Sequence, residues 1–491
     1  MSLRTARSLR HATAVTLLAL LTLLADGAEK NEASPFKPTY KSLEAHVTPA
    51  WYEDAKLGIF IHWGIYSVPA WAPTSVQFGQ VPETEFFKQN PYAEWYFNSM
   101  RTVGSPTHAH HRKTYGADFD YYRFGDDFNR AIMSWDPAAM AEIFRATHAR
   151  YVVLTTKHHD GFTLWPSAVK NPHRADAFAQ RDLVGELSAA VVARGLKMGV
   201  YYSGGIDWSF HPVLIDGTQD GPKVTPPGPD YVAYADAHLR ELIARYQPDI
   251  LWNDIRYPDT SALMQIVADF YHANPDGVIN NRWGRWMPHD FTTAEYKVMP
   301  TIVSEKWEAN RGIGRSFGYN QTETAEQFLS VDALVDSFID IVSKNGNLLL
   351  NVGPRADGSI PEEQLARLRG LGRWLDVNGE AIFATRPWVD AEGRLADNDT
   401  TRVRFTYKPA AEPSPDTVYA LLLDRPPGAQ VELIDFVATA EATEVRLLGH
   451  PTPLRWSRRG DNLFIELPAS LPDAPAHVLA ISPQPSRLMR K

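Results

Sequence analysis

The chain has 491 residues, of which 44% are hydrophobic, and a formal charge of −9. This length allows about two to three domains with a sizeable buried core. The acidic balance, without any run of basic residues, argues against a surface that binds a phosphate backbone, so we expect no nucleic-acid partner. Cysteine is absent, which excludes disulfides, thiolate metal sites and thiol nucleophiles.

Residues 1–27 predict a secretory signal peptide. Arg4, Arg7 and Arg10 precede an apolar stretch over 12–25 that ends in small residues. At about 14 residues the stretch is short for a bilayer span, which favours a cleaved signal over a permanent anchor. We therefore expect an exported protein, and the lack of cysteine favours a bacterial periplasm or exterior. No later run is long and apolar enough to predict a membrane span.

Residues 28–386 predict a (β/α)8-like TIM barrel. Amphipathic stretches typical of helices cover 137–148, 182–194, 230–246, 261–274 and 331–344, and apolar runs typical of strands cover 57–62, 151–156, 197–202, 249–253, 278–281, 301–306 and 347–352. Their alternation indicates βα units and a parallel sheet. A doubly wound open sheet is the alternative, although no glycine-rich phosphate fingerprint follows an early strand.

Residues 387–491 predict a C-terminal antiparallel β-sandwich. Apolar residues alternate with period two in several short runs separated by Pro and Gly, over 403–407, 418–422, 445–447, 463–467 and 478–480. Short strands at this spacing are typical of a small sandwich. Its aromatic residues form no planar array in sequence, so support of the barrel is favoured over glycan binding.

Polar side chains recur where the predicted barrel strands end. Parallel strands of a barrel bring their carboxyl ends to one cavity, where catalytic groups of such folds are found. A pair of carboxylates there is typical of glycoside cleavage, although a single carboxylate after an apolar run is more often a helix cap or an ion-pair partner. The residues at these ends are His62, His158, His159, Tyr201, Asp254, Arg282 and Glu295.

Further residues support a sugar site, and one of them is a second candidate for its proton donor. The adjacent His158 and His159 lack the same-face spacing of metal ligands, so neutral hydrogen-bonding histidines are favoured over a metal site. Glu94 and Trp95 join a hydrogen-bond acceptor to a flat apolar ring, as a sugar requires, although ordinary core packing is the alternative. Glu308 lies near another predicted strand end and competes with Glu295 for the role of proton donor.

The chain resembles the α-L-fucosidases of glycoside hydrolase family 29. The resemblance covers about residues 51–388 and rests on KLGIFIHWG at 56–64, KHHDGF at 157–162, GVYYS at 199–203, LWND at 251–254 and NGNLLLNVGP at 345–354. Each segment is weak alone, and together they are highly specific. The C-terminal sandwich matches the family in architecture with few diagnostic residues.

The resemblance implies an exo-acting, retaining enzyme that releases terminal α-L-fucose from glycans through a covalent glycosyl-enzyme intermediate. It implies that Asp254 is the nucleophile and that Glu295 is the acid/base, a position that differs among branches of the family. No metal or organic cofactor is implied. A binding protein without catalysis, and another glycosidase specificity on the same barrel, remain the alternatives. The implied fucose pocket contains His62, Glu94, Trp95, His158, His159, Tyr201 and Arg282. The implied partner is a fucosylated oligosaccharide or glycoconjugate, and a homo-oligomer is compatible with the sequence.

Overall fold

The structure is a computed structural model that describes residues 36–218, 221–396, 401–411, 414–437 and 443–487. The predicted signal peptide over 1–27 lies outside these ranges. The first domain is built on eight parallel strands, which are β1 (Leu57–Ile61), β2 (Tyr151–Lys157), β3 (Lys197–Ser203), β4 (Ile250–Asp254), β5 (Val278–Ile279), β6 (Thr292–Glu295), β7 (Trp307–Gly312) and β8 (Gly346–Val352).

The eight strands form a curled sheet in the order β5-β4-β3-β2-β1-β8-β7-β6. Strand β1 pairs with both β2 and β8, as a barrel requires of its first strand. A parallel bridge between Asn280 and Phe291 joins the β5 and β6 edges. Within the eight strands every residue is buried except the half-buried Lys197, Thr292, Thr293, Glu295 and Arg311, which agrees with helices covering the sheet. The predicted TIM-barrel-like fold is confirmed.

All five predicted amphipathic stretches are helices. In the helix Val331–Ser343, Ser330 caps the first turn by accepting a hydrogen bond from the Ala333 amide, and the apolar stripe of Leu334 and Phe338 is buried. The described helices are Tyr40–Leu43, Ala50–Ala55, Glu83–Lys88, Tyr96–Ser99, Pro106–Thr114, Phe124–Ala131, Pro137–Ala146, Leu183–Val192, Gly221–Val224, Pro229–Tyr246, Leu263–Ala273, Val331–Ser343 and Glu362–Asn378. Among them, no helix combines the length and the hydropathy that crossing a membrane requires.

The predicted strand over 301–306 is wrong. The chain there is a half-exposed loop, and the barrel positions are filled by β6 and β7 on either side of it. Both of these strands carry polar side chains toward the barrel interior, including Glu295 on β6 and Glu308 on β7. Interior polar residues interrupt the apolar run that predicts a buried strand, so the hydrophobic pattern pointed to the loop instead.

The C-terminal domain is an antiparallel sandwich, as predicted. Its described strands are β9 (Arg386–Gly393), β10 (Val403–Lys408), β11 (Thr417–Leu422), β12 (Gln430–Leu433), β13 (Phe436–Val437), β14 (Glu444–Leu447), β15 (Trp456–Arg459), β16 (Asn462–Glu466), β17 (His477–Ser482) and β18 (Ser486–Arg487). A five-stranded sheet in the order β14-β17-β11-β10-β9 faces a three-stranded sheet in the order β12-β16-β15, and β13 pairs with β18. A domain boundary at 386/387 stays a prediction.

The central strand of the five-stranded sheet, β11, is buried on both faces. Alternate residues of β11 point to opposite sides: Val418 and Leu422 join the sandwich core, whereas Tyr419 and Leu421 join the core of the barrel domain. The Trp374 indole, on the last barrel-domain helix, donates a hydrogen bond to the Ala476 carbonyl oxygen at 3.0 Å. The sandwich therefore shares a packed apolar interface with the helices of the barrel.

Candidate active site

Asp254 and Glu295 are the last residues of β4 and β6. The residue after each carboxylate has a left-handed backbone: φ is 49° at both Ile255 and Tyr296. Such angles are uncommon outside glycine and are least favourable for a β-branched residue such as isoleucine. The chain thus turns sharply just past each carboxylate, and a left-handed residue directly follows each of the two positions predicted to react.

The loop after β3 packs directly against the turn after Asp254. A Cβ atom on Gly205 would lie 1.3 Å from the Ile255 carbonyl oxygen, so only glycine fits there. Glycine at this position therefore permits the close approach of two backbone segments that support Asp254.

One guanidinium connects the two carboxylates. Arg282 donates from Nη1 to Asp254 Oδ1 at 2.8 Å and from Nη2 to Glu295 Oε2 at 3.1 Å. Its Nε donates to the Thr293 hydroxyl at 2.9 Å, and Nη2 also lies 3.4 Å from Asn310 Oδ1. The planar fork of arginine is therefore fixed at all three nitrogens, and it sets the relative position of both acids.

Asp254 is held in its ionised form. Burial raises the pKa of Asp254, but the charge of Arg282 and hydrogen bonds from Arg282 and Tyr201 outweigh burial and leave that pKa below its ordinary value. The Tyr201 hydroxyl donates to Oδ2 at 2.9 Å, and His159 Nε2 lies 3.9 Å from the same oxygen. Asp254 is an anion with one side open to the cavity.

The three histidines of the site are neutral. Burial lowers the pKa of His62 to about 3 and that of His159 to about 4, and it lowers the pKa of His158 well below its ordinary value. His62 Nδ1 lies 2.6 Å from Asn351 Oδ1, and His159 Nδ1 lies 2.7 Å from the Ser203 hydroxyl. Neutral imidazoles offer one donor and one acceptor each, which suits sugar hydroxyls.

The adjacent histidines do not point apart. Strand alternation would send the side chains of His158 and His159 in different directions only if the extended geometry continued through them. Strand β2 ends at Lys157, and both rings enter the same cavity with centroids 4.0 Å apart.

Glu94 and Trp95 reach the cavity from a short 3-10 turn, Ala93–Trp95. Burial raises the pKa of Glu94 to about 8. Its carboxyl group accepts hydrogen bonds from the Gly318 amide at 2.7 Å and the Ser316 hydroxyl at 3.3 Å. The Trp95 ring stands edge-on to His159 at 5.1 Å. At neutral pH the Glu94 carboxyl therefore keeps its proton and is able to donate a hydrogen bond.

All nine residues predicted from the sequence line one cavity of about 190 Å³. Their individual roles stay predictions. Sequence reasoning missed nine further lining residues, most of them aromatic. Trp252 lies two residues before Asp254 on β4, so strand periodicity was a signal for it, but no sequence pattern pointed to the loop aromatics. The missed residues are Phe60, Phe78, Phe86, Phe87, Tyr92, Trp252, Ile255, Asn310 and Phe317.

Tyr92 is the most informative of the missed residues. Its hydroxyl donates to Glu295 Oε1 at 3.2 Å, so each carboxylate oxygen of Glu295 accepts one hydrogen bond, the other from Arg282. The Tyr92 ring also packs edge-on to Phe317 at 5.5 Å. The Glu295 side chain is about one-fifth exposed and lines the cavity next to Tyr92.

Glu308, the alternative acid, is placed below the cavity. It is fully buried and accepts hydrogen bonds from Tyr52, Tyr151 and Trp252. It does not line the cavity, so it does not reach a leaving group there. Within the described ranges, no three His, Asp or Glu side chains are grouped as metal ligands would be, and the expectation of a metal-free reaction stays a prediction.

Comparison with known families gives matches over both domains. The sequence profile described as "Alpha-L-fucosidase" matches residues 23–380, and the profile described as "Alpha-L-fucosidase C-terminal domain" matches residues 396–482. The human tissue alpha-L-fucosidase is 34% identical over 477 residues, which cover 93% of this chain and 94% of the human protein. The human plasma alpha-L-fucosidase is 35% identical and covers 89% of this chain and 90% of its own length.

Solved structures give the same result. A crystal structure of Thermotoga maritima alpha-fucosidase in complex with fucose is 42% identical, with a TM-score of 0.81 over 91% of this chain and 100% of that one. A Thermotoga maritima alpha-L-fucosynthase in complex with a disaccharide of fucose reaches a TM-score of 0.84 at 42% identity, over 91% and 100% of the two chains. The likeness thus extends through both the barrel and the sandwich.

Proposed function

This chain belongs to the alpha-L-fucosidase family of glycoside hydrolases, and on that premise we propose that Asp254 and Glu295 release terminal α-L-fucose with retention of configuration. Asp254 attacks the anomeric carbon to form a glycosyl-enzyme ester while Glu295 protonates the departing oxygen. Glu295 then takes a proton from water, which attacks the ester and restores the free enzyme. Each residue serves in both steps.

The observation that carries this proposal is the guanidinium shared by the two acids. Because both terminal nitrogens of Arg282 are bonded to the same carbon, Cζ, carboxylates that accept hydrogen bonds from them lie close together. Retaining enzymes hold their carboxyl groups about 5 to 5.5 Å apart, whereas inverting enzymes leave about 6.5 to 9.5 Å for a water molecule. A shared guanidinium favours the shorter spacing and hence direct attack by Asp254.

The environments of the two acids support their different roles. A nucleophile must be ionised, and the lowered pKa of Asp254 provides this at neutral pH. Glu295 shares Arg282 with Asp254 and accepts its other hydrogen bond from the Tyr92 hydroxyl. Tyr92 and Arg282 together orient the Glu295 carboxyl group toward the leaving oxygen without closing it off from the cavity.

The size and lining of the cavity support an exo-acting enzyme for a deoxy sugar. The nine predicted residues converge on one compact cavity of about 190 Å³, which supports binding of a single terminal sugar ring. The neutral histidines, Glu94 and Tyr201 provide hydrogen bonds for ring hydroxyls. The aromatic wall, which includes Phe60, Trp252 and Phe317, provides an apolar surface for the C6 methyl of fucose. We propose fucosylated oligosaccharides or glycoconjugates as substrates.

Export is part of the proposal and rests on the N-terminal sequence. The basic residues, apolar stretch and small residues over 1–27 are typical of a cleaved signal peptide, and the mature chain has no cysteine to oxidise. We propose that the enzyme acts in a periplasm or outside the cell.

Proton NMR of the first product tests the mechanism. With an aryl α-L-fucoside as substrate, retention produces α-L-fucose first, and the β anomer follows only by mutarotation. Initial release of β-L-fucose would contradict the double displacement. Aryl α-L-rhamnosides and β-D-galactosides with the same leaving group serve as matched controls, and we expect at least about 10-fold lower kcat/KM for each, because one misplaced group in a fitted pocket costs about 1 to 3 kcal/mol.

A further inference from the structure

Glu308 is a buried carboxylate that the proposed reaction does not use. It lies on β7 two residues before Asn310, so both side chains point into the barrel, with Glu308 one layer below the cavity. Its exposed fraction is zero. Barrel interiors at this depth are usually filled with branched aliphatic side chains, so a carboxylate here requires a reason.

The three neighbours of Glu308 all donate to it. Tyr52 and Tyr151 donate their hydroxyls to Oε2 at 2.9 and 2.6 Å, and the Trp252 indole donates to Oε1 at 2.9 Å. Burial raises the pKa of Glu308, and the hydrogen bonds from Tyr151, Trp252 and Tyr52 oppose that rise. Indole nitrogen only donates, so an acceptor at Oε1 fixes the rotation of the Trp252 ring.

Trp252 in turn supports both side chains that hold Asp254. The Arg282 guanidinium lies over the Trp252 ring at 4.9 Å, and the Tyr201 ring stacks on it at 5.5 Å with an interplanar angle of 22°. Arg282 and Tyr201 are the two side chains that donate hydrogen bonds to Asp254. A rotation of the indole would therefore displace the donors of the nucleophile, and Arg282 would carry the displacement to Glu295.

We propose that Glu308 is a positioning residue: through the Trp252 indole it fixes Arg282 and Tyr201, and thereby fixes Asp254 relative to Glu295. The inference rests on the roles proposed above for those two acids. It accounts for the cost of burying a carboxylate, since a well-packed apolar side chain would be cheaper for stability alone. Glu308 itself touches neither substrate nor the reacting atoms.

The test compares Glu308→Leu with the conservative Glu308→Gln. Leucine has no acceptor for the indole, and we expect kcat to fall about 10- to 100-fold, in line with misplacement of catalytic groups by a fraction of an ångström to 1 Å, while KM changes less than about 3-fold. We also expect the acidic limb of the kcat/KM profile to move to higher pH, because a displaced Arg282 lowers the pKa of Asp254 less. Glutamine keeps a carbonyl acceptor, so its kcat and acidic limb should lie between those of leucine and wild type.

Asp290→Asn is the matched control. Asp290 is another buried carboxylate that accepts a tyrosine hydroxyl, from Tyr271 at 2.8 Å, and it does not line the cavity. This variant should lower the thermal midpoint without moving kcat or the acidic limb. If Glu308→Leu does not fold, the acidic limb of the kcat/KM profile of Glu308→Gln tests the positioning role instead. An unmoved limb with wild-type kcat per folded molecule, or an equal shift in Asp290→Asn, overturns the positioning role.

A 2-deoxy-2-fluoro fucosyl fluoride separates this inference from the mechanism on which it rests. The trapped ester is located by peptide mass spectrometry in wild type and in Glu308→Gln. Labelling of Asp254 in both proteins, combined with a moved acidic limb in the variant, supports both proposals. Labelling of Asp254 with an unmoved limb overturns the positioning role alone. Labelling of another residue in wild type overturns the proposed mechanism and with it the positioning role.

Discussion

Beneath the barrel cavity and in the middle of the C-terminal sandwich, the same chain fills its interior in opposite ways. The barrel buries Asp254 and Glu308 around the partly exposed Arg282, together with three neutral histidines. Among the described residues from 387 onward, no Asp, Glu, Lys or Arg is buried, and the core consists of side chains such as Trp388, Val403 and Phe405. Each buried charge requires partners to offset its loss of hydration, whereas an apolar core does not.

The backbone shows the same contrast. Ile255 and Tyr296 adopt left-handed angles directly after the two carboxylates of the barrel, whereas in the described part of the sandwich the non-glycine residue with such an angle is Asp435, a type that tolerates it in turns. Carboxylates removed from solvent and left-handed backbone thus occur together at the cavity, whereas the described part of the sandwich buries no charged side chain. Substitutions around the cavity should therefore change turnover, and substitutions in the sandwich core should change the free energy of unfolding.

The largest effect should follow from removing the nucleophile. Asp254→Gly should reduce kcat on an aryl α-L-fucoside by at least about 10³-fold, because no other ionised group lies at that position. Azide should restore part of the rate by entering the vacated space. Stopped assays with and without azide measure this recovery. Asp259→Gly, an exposed carboxylate that pairs with Arg256 nearby, serves as control and should keep wild-type turnover. Near-normal activity of Asp254→Gly would refute the assignment.

The next effect separates leaving groups. Glu295→Ala should lose about 10²- to 10⁴-fold in kcat/KM on a natural fucosyl glycoside, the usual contribution of general acid catalysis. An aryl fucoside whose leaving group needs no proton should be affected much less in the first step. Parallel assays on the two substrates measure the ratio, and equal losses on both would mean that another group is the acid.

In the sandwich, the expected change is in stability. Phe405 is fully buried against Trp388 and Phe436, so Phe405→Ala should lower the free energy of unfolding by about 3 to 5 kcal/mol. Denaturant titration measures this, and kcat/KM of the folded variant should equal that of wild type. Val389→Ala, at a half-exposed position of β9, should change stability by less than about 0.5 kcal/mol. A change of kcat in Phe405→Ala would contradict the expectation that the sandwich core affects stability and not turnover.

The smallest effect concerns pH. Glu94 has its pKa raised by burial to about 8, so wild type should lose a hydrogen-bond donor as pH rises through 8, and KM should increase about 3- to 10-fold, the worth of about one hydrogen bond. Glu94→Gln, which does not ionise, should show a flat KM through this range. The folded state also holds this proton more tightly than the unfolded chain, so Glu94 contributes stability at low pH that is lost as pH rises toward 8. A KM step that persists near pH 8 in Glu94→Gln would assign the ionisation to another group.

The sequence by itself determined the order of the domains, most of the barrel strands and the set of polar residues at the strand ends. This was possible because strand and helix periodicity are local properties, and because Asp254, His62 and Tyr201 end or directly follow apolar runs. It failed at β6 and β7, where Glu295 and Glu308 interrupt the apolar pattern that marks a buried strand.

The tertiary structure alone decided how these residues act on one another. Tyr92 and Glu295 are 203 positions apart in sequence, and Tyr52 and Glu308 are 256 apart, so no local pattern relates them. Only closure of the barrel brings such residues into contact. It also placed one guanidinium between two acids and one indole beneath that guanidinium, since side-chain directions across a closed sheet follow from register and strand tilt rather than from spacing along the chain.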